Sequence, residues 1–237
     1  MAIKIDKPLP RGLTPKTAEV FDAISRLDCI RGLYLCGGTG QSIQMNHRLS
    51  EDLDFELLGT SQNRPELDLA GIRNDILKAF PAARTEILGN DQMHAFINGG
   101  EVKLSFFRPG NPVKYIHEGY RYNNIVTPSL QDLLGMKLYT ICVRSKTRDF
   151  YDIYCLLEKG CSLSEGISYA SYLSRHNFKS KTMMTNLLTP ALYQINEEFR
   201  MMQPSMDVTS DAICQRMLKA IADENIKKGQ VLISLNR

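Results

Sequence analysis

The chain has little excess charge of either sign: 29 Lys and Arg against 26 Asp and Glu leave a formal +3. Bulk attraction for a polyanion is therefore not its working principle, and a nucleic-acid partner would have to be met by a local patch. No run approaches the about 18 apolar residues of a membrane span, and the opening MAIKIDKPLPRG has no apolar signal-peptide core. A cytoplasmic protein with no membrane partner is expected. The six cysteines (29, 36, 142, 155, 161 and 214) show no CxxC spacing, and the four histidines are scattered. These patterns offer no zinc site and read as reduced thiols in a chain that needs no disulfide staples. Neither a P-loop nor a GxGxxG turn occurs, and there is no internal repeat or low-complexity tract.

What is present is an ordinary folded composition of 237 residues with 43% apolar content, enough to bury a real core. Thr14 and Pro15 open a segment to Leu27 in which Ala18, Phe21 and Ile24 recur at helical spacing. The apolar run over residues 32–36 stops at Gly37-Gly38, as a strand entering a turn does, and Thr39–Met45 reads as a brief helix. From Ser50 the period becomes two. Leu53, Phe55 and Leu57 alternate with Asp52, Asp54 and Glu56, so a strand here sends the apolar set to one face and the carboxylates to the other.

A polar stretch over 59–68 leads to a predicted helix over 67–80, followed by three short strands at 84–88, 92–97 and 101–107, the last two joined by Asn98-Gly99-Gly100. The sequence changes character at Pro109–Pro112, and the segment after it, with Gly119 and Pro128, reads as loop. A capping box at Ser129–Asp132 opens a helix to Val143, a second helix is predicted over 146–157, and residues 163–222 are mainly helix-like. The expectation is an α/β (α+β) protein: a small mixed sheet flanked by helices over 1–127, then a helical lobe over 128–237.

Chemistry concentrates in two blocks. In the first, two aspartates one residue apart on a strand point the same way, and a shared cation would offset their repulsion. Mg2+ suits such a pair, because it accepts few protein oxygens and completes its shell with water and phosphate. Upstream, Gly38 and Thr39 stand at a strand-to-helix junction where backbone amides and the Thr39 hydroxyl can meet phosphate; a capped tight turn is the alternative. Arg48 can hold a phosphate, brace the carboxylates, or form a surface salt bridge. On the neighbouring strand Glu101, Lys103 and Ser105 share a face, with Lys103 free either to meet phosphate or to stay solvated.

In the second block, Lys137 lies mid-helix among Leu133, Leu134, Met136 and Leu138, where a charge needs a partner or an exit to water. Arg144, Arg148, Asp149 and Asp152 follow. Asp149 and Asp152 can share a helix face, Arg148 can contact Asp152 across one turn, and either arginine can meet triphosphate or a nucleic acid. An ion-paired surface is the alternative for this helix.

GGTGQSIQMNHRLSEDLDFE together with DLLGMKLYTICVRSKTRDFYDIYCL resembles the AbiEii/AbiGii toxin family of nucleotidyltransferases, within the DNA polymerase beta-like superfamily. The resemblance spans about residues 15–160. It implies transfer of a nucleoside monophosphate from an NTP to a hydroxyl of tRNA, another RNA or a protein, with Mg2+ (or Mn2+) as cofactor and, for a toxin, a cognate antitoxin as partner. It makes Asp52 and Asp54 the metal ligands and Gly38-Thr39 the nucleotide-phosphate turn. Lys137 would be a lysine facing the phosphates, Asp149 a catalytic residue steering it or the attacking group, and Asp152 a helper or a structural partner. The superfamily's third carboxylate falls at Ser105, leaving Glu101 or Glu56 as candidates for that role. Small-molecule nucleotidylation, or nucleotide binding without catalysis, stays open beside RNA or protein modification.

Overall fold

The computed structural model describes residues 8–58, 66–109 and 117–235, with side chains described as far as residue 224. The polar connection over 59–65 and the break expected at 110–112 fall outside them. The chain divides into two compact units, Met1–Ser129 and Leu130–Arg237.

The first unit contains α1 (Pro15–Ser25), β1 (Tyr34–Leu35), α2 (Gly37–Met45), β2 (Leu53–Glu56), α3 (Leu69–Ala79), β3 (Arg84–Ile87), β4 (Gln92–Ile97), β5 (Val102–Phe107), β6 (Glu118–Tyr122) and β7 (Ile125–Pro128). Helix α1 starts as its sequence dictates: Thr14 accepts from the Thr17 amide, and Pro15 fills the first helical position, where a missing N–H costs nothing. Its Phe21 and Ile24 are fully buried.

The strands form one mixed sheet in the order β3-β4-β5-β2-β1-β7-β6, with β2 parallel to β5 and β1 parallel to β7. Alternation sorts its two faces. Leu35, Leu53, Phe55, Met93, Ala95, Leu104 and Phe106 point to one side and share a hydrophobic core with residues of α1 and α3, while Asp54, Glu56, Lys103 and Ser105 occupy the other by the same period of two. Stacking of Phe55 on Phe106, with centroids 5.3 Å apart, fixes the β2–β5 register from the apolar side.

One expectation fails here. The segment read as loop between residues 118 and 128 is a hairpin, β6–β7. Asn123, with φ 50°, makes the turn, and Tyr122 and Ile125 are buried across it. Gly119 and Pro128 looked like breakers, yet both are accommodated: Pro128 ends its strand, and Gly119 leaves room for the Pro128 carbonyl, which a Cβ would approach to 2.4 Å.

The second unit is helical: α4 (Leu130–Val143), α5 (Thr147–Glu158), α6 (Leu163–Leu173), α7 (Ser180–Leu187), α8 (Glu197–Met201) and α9 (Ser210–Leu235). Helices α4 and α6 approach closely because Gly135 meets the Tyr169 ring, where a Cβ would lie 2.4 Å from the ring edge. Phe150 stacks on Tyr193 and Tyr151 meets Phe199 edge-on, giving α5 an aromatic floor.

Candidate active site

The polar face of the sheet centres on β2. Asp54 projects from it and Asp52 immediately precedes it, both partly exposed. Parallel pairing sets Ser105 beside Asp54, and antiparallel pairing of β4 with β5 sets His94 beside Ser105. Lys103 lies 3.7 Å from Asp52 Oδ2. At this separation, with both groups more than a third exposed, the pair is weak and leaves the lysine able to reorient.

Glu56 shares the face with Asp54 and hydrogen-bonds with the Cys36 thiol. Burial, and then the nearby Asp54 charge, push its carboxyl up to about 8, with the thiol pulling the other way. Cys36 is itself raised well above its ordinary value by burial and by Glu56 and Asp54. Glu101, the other acid considered for a third position, precedes β5 and is ion-paired with Lys16 at the surface. It lies four positions from Ser105, about 13 Å along an extended chain, so Glu56 is the acid near Asp54.

The glycine turn is built against this strand. Gly37 has φ +63°, and a Cβ there would lie 3.2 Å from Asp54 Oδ2, so the backbone passes directly beside the carboxylate. A Cβ on Gly38 would come within 2.3 Å of Arg48 Nη2. Arg48 is 3% exposed, and its Nη1 donates to the Leu49 carbonyl at 3.0 Å. The surface salt bridge considered for Arg48 is thus replaced by a buried guanidinium bracing the turn, with Gly38 leaving the space it needs.

Thr39 is also buried. Its Oγ1 lies 2.7 Å from Ser50 Oγ and donates to the Asp52 carbonyl. That hydroxyl ties the turn to the acidic strand, and the first amides of α2 lack intrahelical partners, as at any helix start.

In the helical unit Lys137 Nζ lies 2.7 Å from Asp149 Oδ1 and 2.7 Å from Asp152 Oδ2, with both carboxylates fully buried. Arg144 adds Nε to Asp149 Oδ2 at 3.1 Å. Burial raises the Asp149 carboxyl, but Lys137 and Arg144 outweigh it and hold the group below its ordinary value. Of the alternatives for this block, Lys137 takes a partner instead of an exit to water, and its carboxylates are buried instead of forming an ion-paired surface. Lys137 supplies the charge paired with Asp152 that the sequence reading gave to Arg148, which is half-buried.

Among the described residues no group of three or more His, Cys, Asp or Glu is placed to hold a metal. Asp52 and Asp54 fit an ion that takes most of its oxygens from water and a triphosphate, as Mg2+ and Mn2+ do. The reading of β2 alone missed Cys36 and His94. The alternation of Gln92, His94 and Phe96, combined with the hairpin at Asn98–Gly100, was the signal that aligns His94 with Ser105.

A match over residues 20–227 to the family described as nucleotidyl transferase AbiEii toxin, type IV TA system, covers most of the chain. The chain belongs to this family of nucleotidyltransferase toxins of type IV toxin–antitoxin systems. An uncharacterised protein of Aquifex aeolicus is 30% identical over 156 residues, which is 65% of this chain and 72% of that protein. Among solved structures, JHP933 from Helicobacter pylori aligns with TM-score 0.56 at 15% identity, over 95% of this chain and 100% of its own. A Helicobacter pylori chain that its description proposes to be a nucleotidyltransferase aligns at TM-score 0.52 and 15% identity, over 86% of this chain and 93% of its own. These two likenesses show the nucleotidyltransferase fold. No described helix is long and apolar enough to cross a membrane.

Proposed function

We propose that the chain moves a nucleoside monophosphate from an NTP to a hydroxyl of an RNA, such as tRNA, or of a protein, acting in the cytoplasm as a toxin restrained by a cognate antitoxin. The observation that carries this reading is the packing of the glycine turn against Asp54: the backbone at Gly37 runs beside one of two carboxylates gathered at the start of β2. Asp52 and Asp54 would hold Mg2+ or Mn2+, which when bound offsets the negative charge of the triphosphate. The amides of Gly38 and Thr39 take the phosphates, with Arg48 holding the turn rigid from beneath. Lys103 is close enough to Asp52 to turn from it to a phosphate oxygen. Glu56, beside Asp54, serves as the third acid in place of Ser105.

Lys137, Arg144, Arg148, Asp149 and Asp152 enter this proposal through the family resemblance, with Asp149 and Asp152 holding the lysine in one position. Substitution of Lys137 tests whether it acts on the triphosphate in addition to filling its buried niche.

The test is incubation of the protein and Mg2+ with labelled ATP, CTP, GTP and UTP in turn, with total RNA and total protein as acceptor pools. Label in one pool from a preferred nucleotide is the expected result. A second reading, a nucleotide-binding module without turnover, rests on the uncharged Ser105 paired with Asp54. Triphosphate binding with no label in either pool would select it.

A further inference from the structure

The polar face continues past the acidic strand. Tyr34 pairs with Glu56 on one side and with Val126 on the other, and Val126 pairs with Arg121, so one row crosses four strands from Glu56 to Arg121. At its far end is a cavity of about 250 Å³ whose lining includes Arg31, Tyr34, Glu118, Arg121, Asn124 and Val126. The proposed phosphate turn does not use it.

Its chemistry is that of a nucleotide seat. Arg31 and Arg121 are well exposed, and each has a carboxylate close by, Asp28 at 2.9 Å and Glu118 at 2.8 Å. A guanidinium carries five N–H donors in a planar fork, so one carboxylate does not exhaust it, and the fork matches a phosphate. Tyr34 adds a half-buried aromatic ring, the usual platform for an unpaired base. A docked polypeptide would need apolar anchors, and the cavity offers few.

Position gives the seat a role. Strand β1 runs from Tyr34 toward the glycine turn, with Cys36 donating its amide to the Asp54 carbonyl on the way. Cavity and turn therefore lie toward opposite ends of β1, with Asp54 against the turn, one strand over and two residues along from Tyr34, a diagonal of roughly 7 Å. Phosphoryl displacement is in line, so the attacking hydroxyl and the departing pyrophosphate stand on opposite sides of the phosphorus. With the leaving phosphates at the turn, the acceptor comes from the side of the cavity.

We propose that this cavity seats the last nucleotide of a single-stranded nucleic acid, with Arg31 and Arg121 on its phosphate and Tyr34 against its base, presenting the terminal hydroxyl to the acidic strand. This rests on the transferase reading. The hydroxyl oxygen bonds to the α-phosphorus as the bond between that phosphorus and the oxygen bridging to the β-phosphate breaks; pyrophosphate leaves and the hydroxyl proton passes to water.

The experiment measures KM for acceptor RNA and for NTP in the wild type, in the double variant Arg31→Ala/Arg121→Ala, and in Tyr34→Leu. Melting temperatures verify folding, which the exposure of both arginines should spare. The expected result is a tenfold or larger rise in acceptor KM with NTP KM changed less than twofold. The slope of log affinity for RNA against log salt should also fall by about 0.7 for each arginine lost. An unchanged acceptor KM, or a rise in NTP KM instead, overturns the assignment. Transfer by the wild type to protein alone overturns it while leaving the transferase reading intact. No transfer from any NTP to RNA or protein overturns both.

Discussion

Charge is handled in opposite ways in the two units. At β2, Asp52 and Asp54 are partly exposed, Lys103 lies 3.7 Å from Asp52 Oδ2, and the backbone of Gly37 presses close to Asp54. In the helical unit, Asp149 and Asp152 are completely buried and clasp Lys137 from both sides, with Arg144 closing over Asp149. A buried pair in good geometry holds a fold in one arrangement, and breaking it is costly. Like charges gathered at a partly open surface stabilise nothing by themselves and make sense as a place for something positive. In the proposed reading the first cluster binds a cation, and the second holds Lys137 in one position.

The largest effect expected from this contrast is on stability. Lys137→Met strands two buried carboxylates and should cost about 3–5 kcal/mol, read from urea unfolding. Restoring neutrality with Lys137→Met/Asp149→Asn/Asp152→Asn should recover a substantial part of that loss. If Lys137→Met unfolds like the wild type, the holding role is wrong.

Asp54→Asn should do the reverse. It removes a like charge from the open cluster, so the melting temperature should stay level or rise. Affinity for Mg2+ with NTP should fall on the order of 100-fold, since even groups that only orient a metal ligand are worth 10–100-fold.

Acidification probes the buried cluster. Asp149 is held below its ordinary value of 3.8, so the stability it contributes is complete above that value and is lost as pH falls through its lowered folded value. From this pair, stability should be flat across pH 5 to 8 and decline below about pH 4, and the Asp149→Asn protein should lack that decline. The smallest effect belongs to Lys103→Ala. Its ion pair with Asp52 spans 3.7 Å between half-exposed groups and is worth under about 1 kcal/mol, so a change confined to NTP affinity would mark it as a phosphate contact.

How much could be read in advance follows the range of the interactions. The alternation at residues 52–57 is local, so both the strand and its polar face were legible, as was the capped start of α1 at Thr14-Pro15. The hairpin at Tyr122–Ile125 was hidden because Gly119 and Pro128 are breakers by local rules and tolerated only by their places at a strand edge and end. In the second block, the shared helix face of Asp149 and Asp152 was visible from spacing. Their common partner was not, since Lys137 reaches them from another helix, and helical periodicity favoured Arg148. The burial of Arg48 and Thr39 at the glycine turn is likewise a tertiary fact.

The central claim is that the acidic strand is a site of nucleotidyl transfer. Its most direct test is pyrophosphate release with Mg2+, the preferred NTP and the acceptor pool, measured side by side for the wild type and a folded Asp54→Asn protein. Mg2+-dependent release by the wild type, with at least a 100-fold loss in the variant at equal melting temperature, is the expected result. Equal release by both proteins would contradict it.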